Sequence, residues 1–165
     1  MTRLLSTEGA GEPIQIHDDL AFERPVNGLA LAYWRDRCAG RTMPARTDID
    51  PAGMRGFITN VGLVDVLTDE RGQPAFRVRL AGTAIEDVFG PMQGKLLREL
   101  PPYFAARWTG LFVAMADDGV PRRITTRVAF KSQDFLRLEA LFAPLSDAPP
   151  RVTMLFVCLA VWPDV

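Results

Sequence analysis

Arg79-Leu80-Ala81-Gly82-Thr83-Ala84-Ile85-Glu86-Asp87-Val88-Phe89-Gly90 is the stretch on which the fold turns. Into Leu80 the chain alternates. Phe76, Val78 and Leu80 share one face and Arg77 and Arg79 the other, the period of a half-buried strand. At Thr83 the period changes. Thr83-Ala84-Ile85-Glu86 has the capping-box pattern, which predicts a short helix, and Gly90-Pro91 ends it. After Gly94, Pro101-Pro102 opens the longest helix, which runs to about Asp118 and is closed by Gly119-Val120-Pro121. Phe104, Trp108, Leu111, Phe112 and Met115 form one apolar stripe along it. Three strand-like runs follow. Ile124, Thr126, Val128 and Phe130 alternate in the first. Leu136, Leu138, Ala140 and Phe142 oppose Arg137 and Glu139 in the second. The third, Val152 to Trp162, is apolar on both faces, as expected of a central strand covered twice.

Toward the N-terminus, Val61 to Leu67 is β-branched and apolar and pairs with the Phe76 strand across a turn at Asp69–Pro74. Asp50-Pro51 reads as a cap and first helical residue of a short helix carrying Met54, Phe57 and Ile58. Residues 40–50 form a linker. Asn27 is placed to cap a helix from Gly28 to about Ala39, with Leu31, Trp34 and Cys38 at three- and four-residue spacing and Gly40 to stop it. Residues 1–26 hold no sustained period and are expected to be a flexible arm. The division is then an arm over 1–26, a helical extension over 27–59 and the main domain over 60–165. The longest helix is available for one sheet face. The other falls to the Tyr33-Trp34 helix or to a second subunit.

A chain of 165 residues can bury a proper core without a disulfide or metal. With 19 basic and 20 acidic residues, it has no global pull toward nucleic acid or an anionic membrane. No apolar run approaches a membrane span, and the start has no signal-peptide pattern, so a cytoplasmic location is expected. Cys38 and Cys158 form no CxxC pair, which leaves no structural zinc site and marks both as small buried hydrophobes.

The order of these pieces resembles a PAS domain: strand, strand, short helices, long helix, three strands. Tyr33-Trp34, Gly40-Arg41, Pro44-Ala45-Arg46-Thr47-Asp48-Ile49-Asp50-Pro51, Arg79-Leu80-Ala81-Gly82-Thr83, Phe89-Gly90 and Gly94 follow one another in an order similar to a family of short single-PAS proteins found mainly in alphaproteobacteria. The resemblance implies an α+β fold: a five-stranded antiparallel sheet with helices on one face and an N-terminal helical extension. It implies a sensory or regulatory role and brings no catalytic residues. Two cofactors are tested by residue. A haem-binding PAS takes an axial ligand, usually His, from beside the sheet. The single histidine, His17, lies in the arm, which speaks against haem and leaves Met or Cys as the residual ligand. A flavin photosensor needs a reactive cysteine in an Asn-Cys-Arg setting, and neither Cys38 nor Cys158 has one.

Other motifs have plain readings. Gly90-Pro91-Met92-Gln93-Gly94-Lys95 is one residue short of a phosphate loop and has Leu96 where Ser or Thr would hold magnesium, so it is a turn. Asp48 and Asp50 are too few oxygens for calcium. Asp50 serves as a cap, and Asp48 pairs with Arg46 or Arg41. Arg77, Arg79, Arg123 and Arg127 are either an anion-binding face or a solvated one laced with acids such as Glu139.

The candidate site is where the long helix meets the sheet. Trp108, Phe112 and Met115 are expected to face Phe76, Val78, Leu80, Leu138 and Phe142, with Thr83 at the edge. That group is either plain core or the wall of a small-molecule cavity. Leu31, Tyr33 and Trp34 are the candidate interface. No output segment is expected beyond the last strand, so a signal is expected to leave through a regulatory protein or a homodimer. The alternative is a ligand-free dimeric adaptor. An enzyme ranks last, because one histidine outside the domain supplies no conventional base.

Overall fold

A computed structural model describes residues 1–5, 12–130 and 134–164. Among the described residues seven strands form one antiparallel sheet: β1 (Thr2–Leu5), β2 (Ile14–His17), β3 (Val61–Thr68), β4 (Pro74–Ala81), β5 (Arg122–Phe130), β6 (Asp134–Leu145) and β7 (Met154–Pro163). Their order across the sheet is β1-β2-β5-β6-β7-β3-β4. The helices are α1 (Pro25–Cys38), α2 (Thr83–Phe89) and α3 (Pro102–Asp118), joined by short 3-10 turns.

The five strands expected are present as β3 to β7. The sheet has seven because the first residues join it. β2 pairs with β5 with Ile16 opposite Ile124, and β1 pairs with β2. Ile14 and Ile16 are fully buried, which fixes this part of the expected arm in the core. The reason is local: Ile14-Gln15-Ile16-His17 alternates, but over four residues that signal is too short to stand out from a loop.

The helices lie on both faces of the sheet, not one. α3 packs Phe112 on Phe142, with ring centroids 5.3 Å apart, and on Phe76 at 5.6 Å. α1 packs on β6 and β7 from the other side. β7 is therefore buried on both faces, as its unbroken apolar run requires.

α1 starts earlier than Asn27 suggests. Pro25 takes the first helical position, where its missing N–H costs nothing. Asn27 is fully buried inside the first turn. The helix stops where Ala39 and Gly40 both turn to positive φ, at 49° and 82°. α2 is capped at Gly82 rather than by a Thr83 box, since Glu86 turns its carboxylate forward to the Met92 backbone N–H at 2.7 Å. A Cβ on Gly82 would lie 2.2 Å from the Thr59 carbonyl oxygen, so only glycine lets β4 turn into α2 there. Asp50 does cap the next turn, accepting from the Gly53 N–H at 2.8 Å, and Asp48 pairs with Arg41 at 2.7 Å.

The outer edge of β4 is covered. Val78 donates its N–H to Lys95 O, and Gly94 donates to Val78 O. The Gly90–Lys95 segment is thus a turn folded along the edge. Among the described residues no helix is long and apolar enough to cross a membrane.

Candidate functional site

Between α3 and the sheet lies a cavity of about 60 Å³. Each strand on this side contributes alternate residues: Val64 from β3, Val78 and Leu80 from β4, Leu138, Ala140 and Phe142 from β6, Val157 and Leu159 from β7. Ile85 and Phe89 of α2, Met92, and Phe104, Trp108 and Phe112 of α3 close it. Every lining residue is apolar or glycine. Water of the right size would find no hydrogen-bond partner there, so the space is dry.

Six of the nine residues expected at this site line the cavity together: Trp108, Phe112, Val78, Leu80, Leu138 and Phe142. Three do not. Met115 is buried one turn further along α3 as core, and Phe76 packs on Phe112 outside the cavity. Thr83 is exposed and bounds no part of it. The sequence reading missed the far wall, Phe89, Met92 and Phe104. Their signal was the Phe89-Gly90 and Pro101-Pro102 punctuation, which brings α2 and the start of α3 together over the sheet.

The opposite face is built differently. Glu139 of β6 is fully buried yet points its carboxylate at the start of α1. Its Oε2 accepts from the Glu23 N–H at 2.9 Å and its Oε1 from the Arg24 N–H at 2.9 Å. Asn27 Nδ2 donates to both Oε1 and the Glu139 carbonyl, and Arg123 lies 3.5 Å from Oε2. A carboxylate at this end of a helix also meets the positive end of its dipole. Among the four arginines read as an anion face or a solvated one, Arg123 has this buried acid and Asp19 as partners, Arg79 pairs with Asp65, and Arg127 pairs with Glu12.

Leu31 and Trp34, expected at an interface, are buried in the chain's own core. Trp34 Nε1 donates to the Pro144 carbonyl at 2.9 Å. Tyr33 is half-buried between Phe57 and Phe156, and its hydroxyl bonds the Asp50 backbone. The exposed face of α1 is instead Leu29, Ala32, Arg35 and Asp36.

The two cysteines are buried and free. Burial pushes the Cys158 thiol up to about 12 and raises that of Cys38, so neither is poised as a nucleophile. His17 sits on β2, bonded to Thr2 and Thr125, and is no part of the cavity wall. Among the described residues no group of three or more His, Cys, Asp or Glu is arranged to hold a metal.

A wider groove of about 940 Å³ runs past the C-terminal end of α3, but Asp117, Asp118, Thr68 and Arg151 make it a mixed, polar surface. The apolar cavity is the built feature.

No curated protein and no solved structure matches the chain. A family model described as PAS domain matches residues 23–160, from just before α1 to within β7, and so takes in both helical layers and strands β3 to β6 with most of β7, while β1 and β2 lie before it. The chain belongs to the PAS domain family.

Proposed function

We propose that this chain is a non-enzymatic sensory protein that takes a small apolar group into the cavity under α3 and reports it through α1. Membership of the PAS family supports a sensory or regulatory role in general. One observation carries the rest: the cavity and α1 share the same two strands. On β6, Leu138 and Ala140 line the cavity while Glu139 between them holds α1. On β7, Val157 and Leu159 line it while Cys158 between them touches the Val26 carbonyl through Sγ at 3.8 Å. Strands alternate their side chains, so any shift of the cavity wall is also a shift of the α1 seat. The exposed face of α1 then meets a regulatory protein or a second copy.

The void has an energetic meaning. At about 24 cal/mol per Å³, an empty space of this size costs about 1.4 kcal/mol. A single added methyl or two on Ala140 would remove much of it. An occupant recovers the same quantity and binds weakly but selectively.

Xenon is the matched probe, being apolar and small enough for a dry cavity. Methyl NMR under xenon pressure should move the Leu138, Val157 and Leu159 signals and, with them, the amides of Glu23 to Asn27. Unmoved methyls would end the cavity reading. Moved methyls with a silent α1 would end the coupling.

A second reading is a ligand-free dimeric module. Leu29, 55% exposed on α1, favours it. Light scattering with Leu29→Glu separates them, since the module loses its dimer and the sensor keeps its xenon response.

A further inference from the structure

Two cations of this chain share one ring and have no acid. Arg137 of β6 and Trp162 of β7 are cross-strand neighbours on the face of the sheet that carries α1. The Arg137 guanidinium carbon lies 5.6 Å from the Trp162 ring centroid. That of Arg24, the residue just before α1, lies 3.7 Å from the same centroid. Among the described residues neither guanidinium reaches a carboxylate. Arg24 is half-buried, and its Nε is shielded from water without an acceptor, whereas Arg137 is exposed. Two like charges held at one indole repel each other, and the ring offsets only part of that. An anion beside them removes the conflict.

The acids nearby are almost all engaged. Arg137 and Trp162 line a recess of about 270 Å³ together with Gln15, Thr125 and Glu139. Of the carboxylates around it, Glu12 and Asp164 pair with Arg127, and Glu139 holds the start of α1 and Arg123. Glu23 is exposed and unpaired, so two unmatched cations stand against one unmatched acid. That small surplus suits one or two carboxylates among neutral residues. A polyanion such as a nucleic-acid backbone is repelled by Glu12, Glu23 and Asp164. The place matters as much as the charge. Arg24 donates its backbone N–H to Glu139 Oε1, and Arg137 and Glu139 flank Leu138 of the cavity wall.

Resting on the sensor reading above, we propose that Arg24 and Arg137, seated on Trp162, are the docking point for an acidic side chain of the regulatory partner, carried on a segment otherwise free of charge. A guanidinium laid on a ring keeps its N–H fork in its own plane, free to grip a carboxylate. The contact lies at the start of α1, the end of the helix that Glu139 ties to the cavity strands.

The test is NMR titration of the full chain, following the Trp162 indole N–H and the side-chain N–H signals of Arg24 and Arg137. The probes are acetyl-Leu-Glu-Leu-Glu-amide, acetyl-Leu-Gln-Leu-Gln-amide and inorganic phosphate. The acidic peptide should move these signals and bind at least about tenfold tighter than its neutral twin, as a charge-assisted bond provides. Arg137→Gln, at an exposed position, should bring the two peptides within about twofold. Should that variant fail to fold, the wild type decides: 0.5 M salt should weaken the acidic peptide and leave the neutral one unchanged. Equal affinities, or a preference that survives Arg137→Gln, would overturn the docking point. Phosphate bound as tightly as the acidic peptide would overturn the protein partner in favour of a free anion. The xenon experiment keeps the two readings apart. A failed titration beside intact Leu138 and Glu23 to Asn27 responses ends this proposal alone. Silent xenon beside a bound acidic peptide ends the sensor reading and leaves the docking point.

Discussion

The two faces of the sheet are held by different physics. On the α1 side the contacts are directional: a buried carboxylate on helix-start amides, an indole N–H on a carbonyl, a tyrosine hydroxyl on a backbone pair. On the α3 side they are apolar, ring against ring, around a void of about 60 Å³. Hydrogen bonds fix position and tolerate little. Apolar packing is non-directional and leaves room to rearrange. In the function proposed above, the apolar face is the one that admits a guest and the hydrogen-bonded face the one that keeps a fixed geometry.

The largest test of that contrast is Glu139→Ala. It strips two backbone N–H groups, Asn27 and Arg123 of a buried acceptor at once, and should cost about 3 kcal/mol in urea denaturation. A loss under about 1 kcal/mol would mean that α1 is not held by this acid. A matched pair on β6 comes next. Ala143 is fully buried on the α1 side and Ala140 lines the cavity. Ala143→Val should overpack and cost about 2 kcal/mol. Ala140→Val should fill space and stabilise by about 0.5 kcal/mol while abolishing the xenon response. Equal signs for the two would erase the difference between the faces.

The smallest effect is a pH dependence confined to the polar face. His17 bonds Thr125 and has its pKa lowered by burial first and Arg123 second. Its folded pKa lies below the unfolded value near 6.5, so the unfolded chain binds the proton more readily. Stability is complete above about pH 6.5 and falls as the pH drops below it. Thermal melts at pH 7.5 and 5.5 should show a larger acid loss in the wild type than in His17→Gln. An equal loss in both would remove His17 from the account.

Much of the α3 face was legible because apolar periodicity is a strong signal. The Phe76–Val78–Leu80 alternation and the Trp108–Phe112 stripe led to five strands, the long helix and six cavity residues. The α1 face was not. Glu139 on an alternating strand looks like a solvated residue, and nothing in the sequence near it announces that Glu23 and Arg24, more than a hundred positions away, will bring their amides to it. Asn27 was read as a cap because its type is common there, when it lies in the first turn and bonds the same acid. β1 and β2 were missed because strands of four residues carry too few alternations to count. Leu31 and Trp34 were rightly read as apolar, but which surface they cover is a tertiary fact.

The strip along β4 bears on how copies of this protein can meet. A strand arriving from outside would find the amide and carbonyl of Val78 already engaged by Lys95 and Gly94. The far margin ends in β1, four residues long and mostly exposed. Fibril growth by stacking needs two sticky margins per molecule, one to receive and one to offer. With one of them sealed by a turn, strand-to-strand association here terminates at a closed pair.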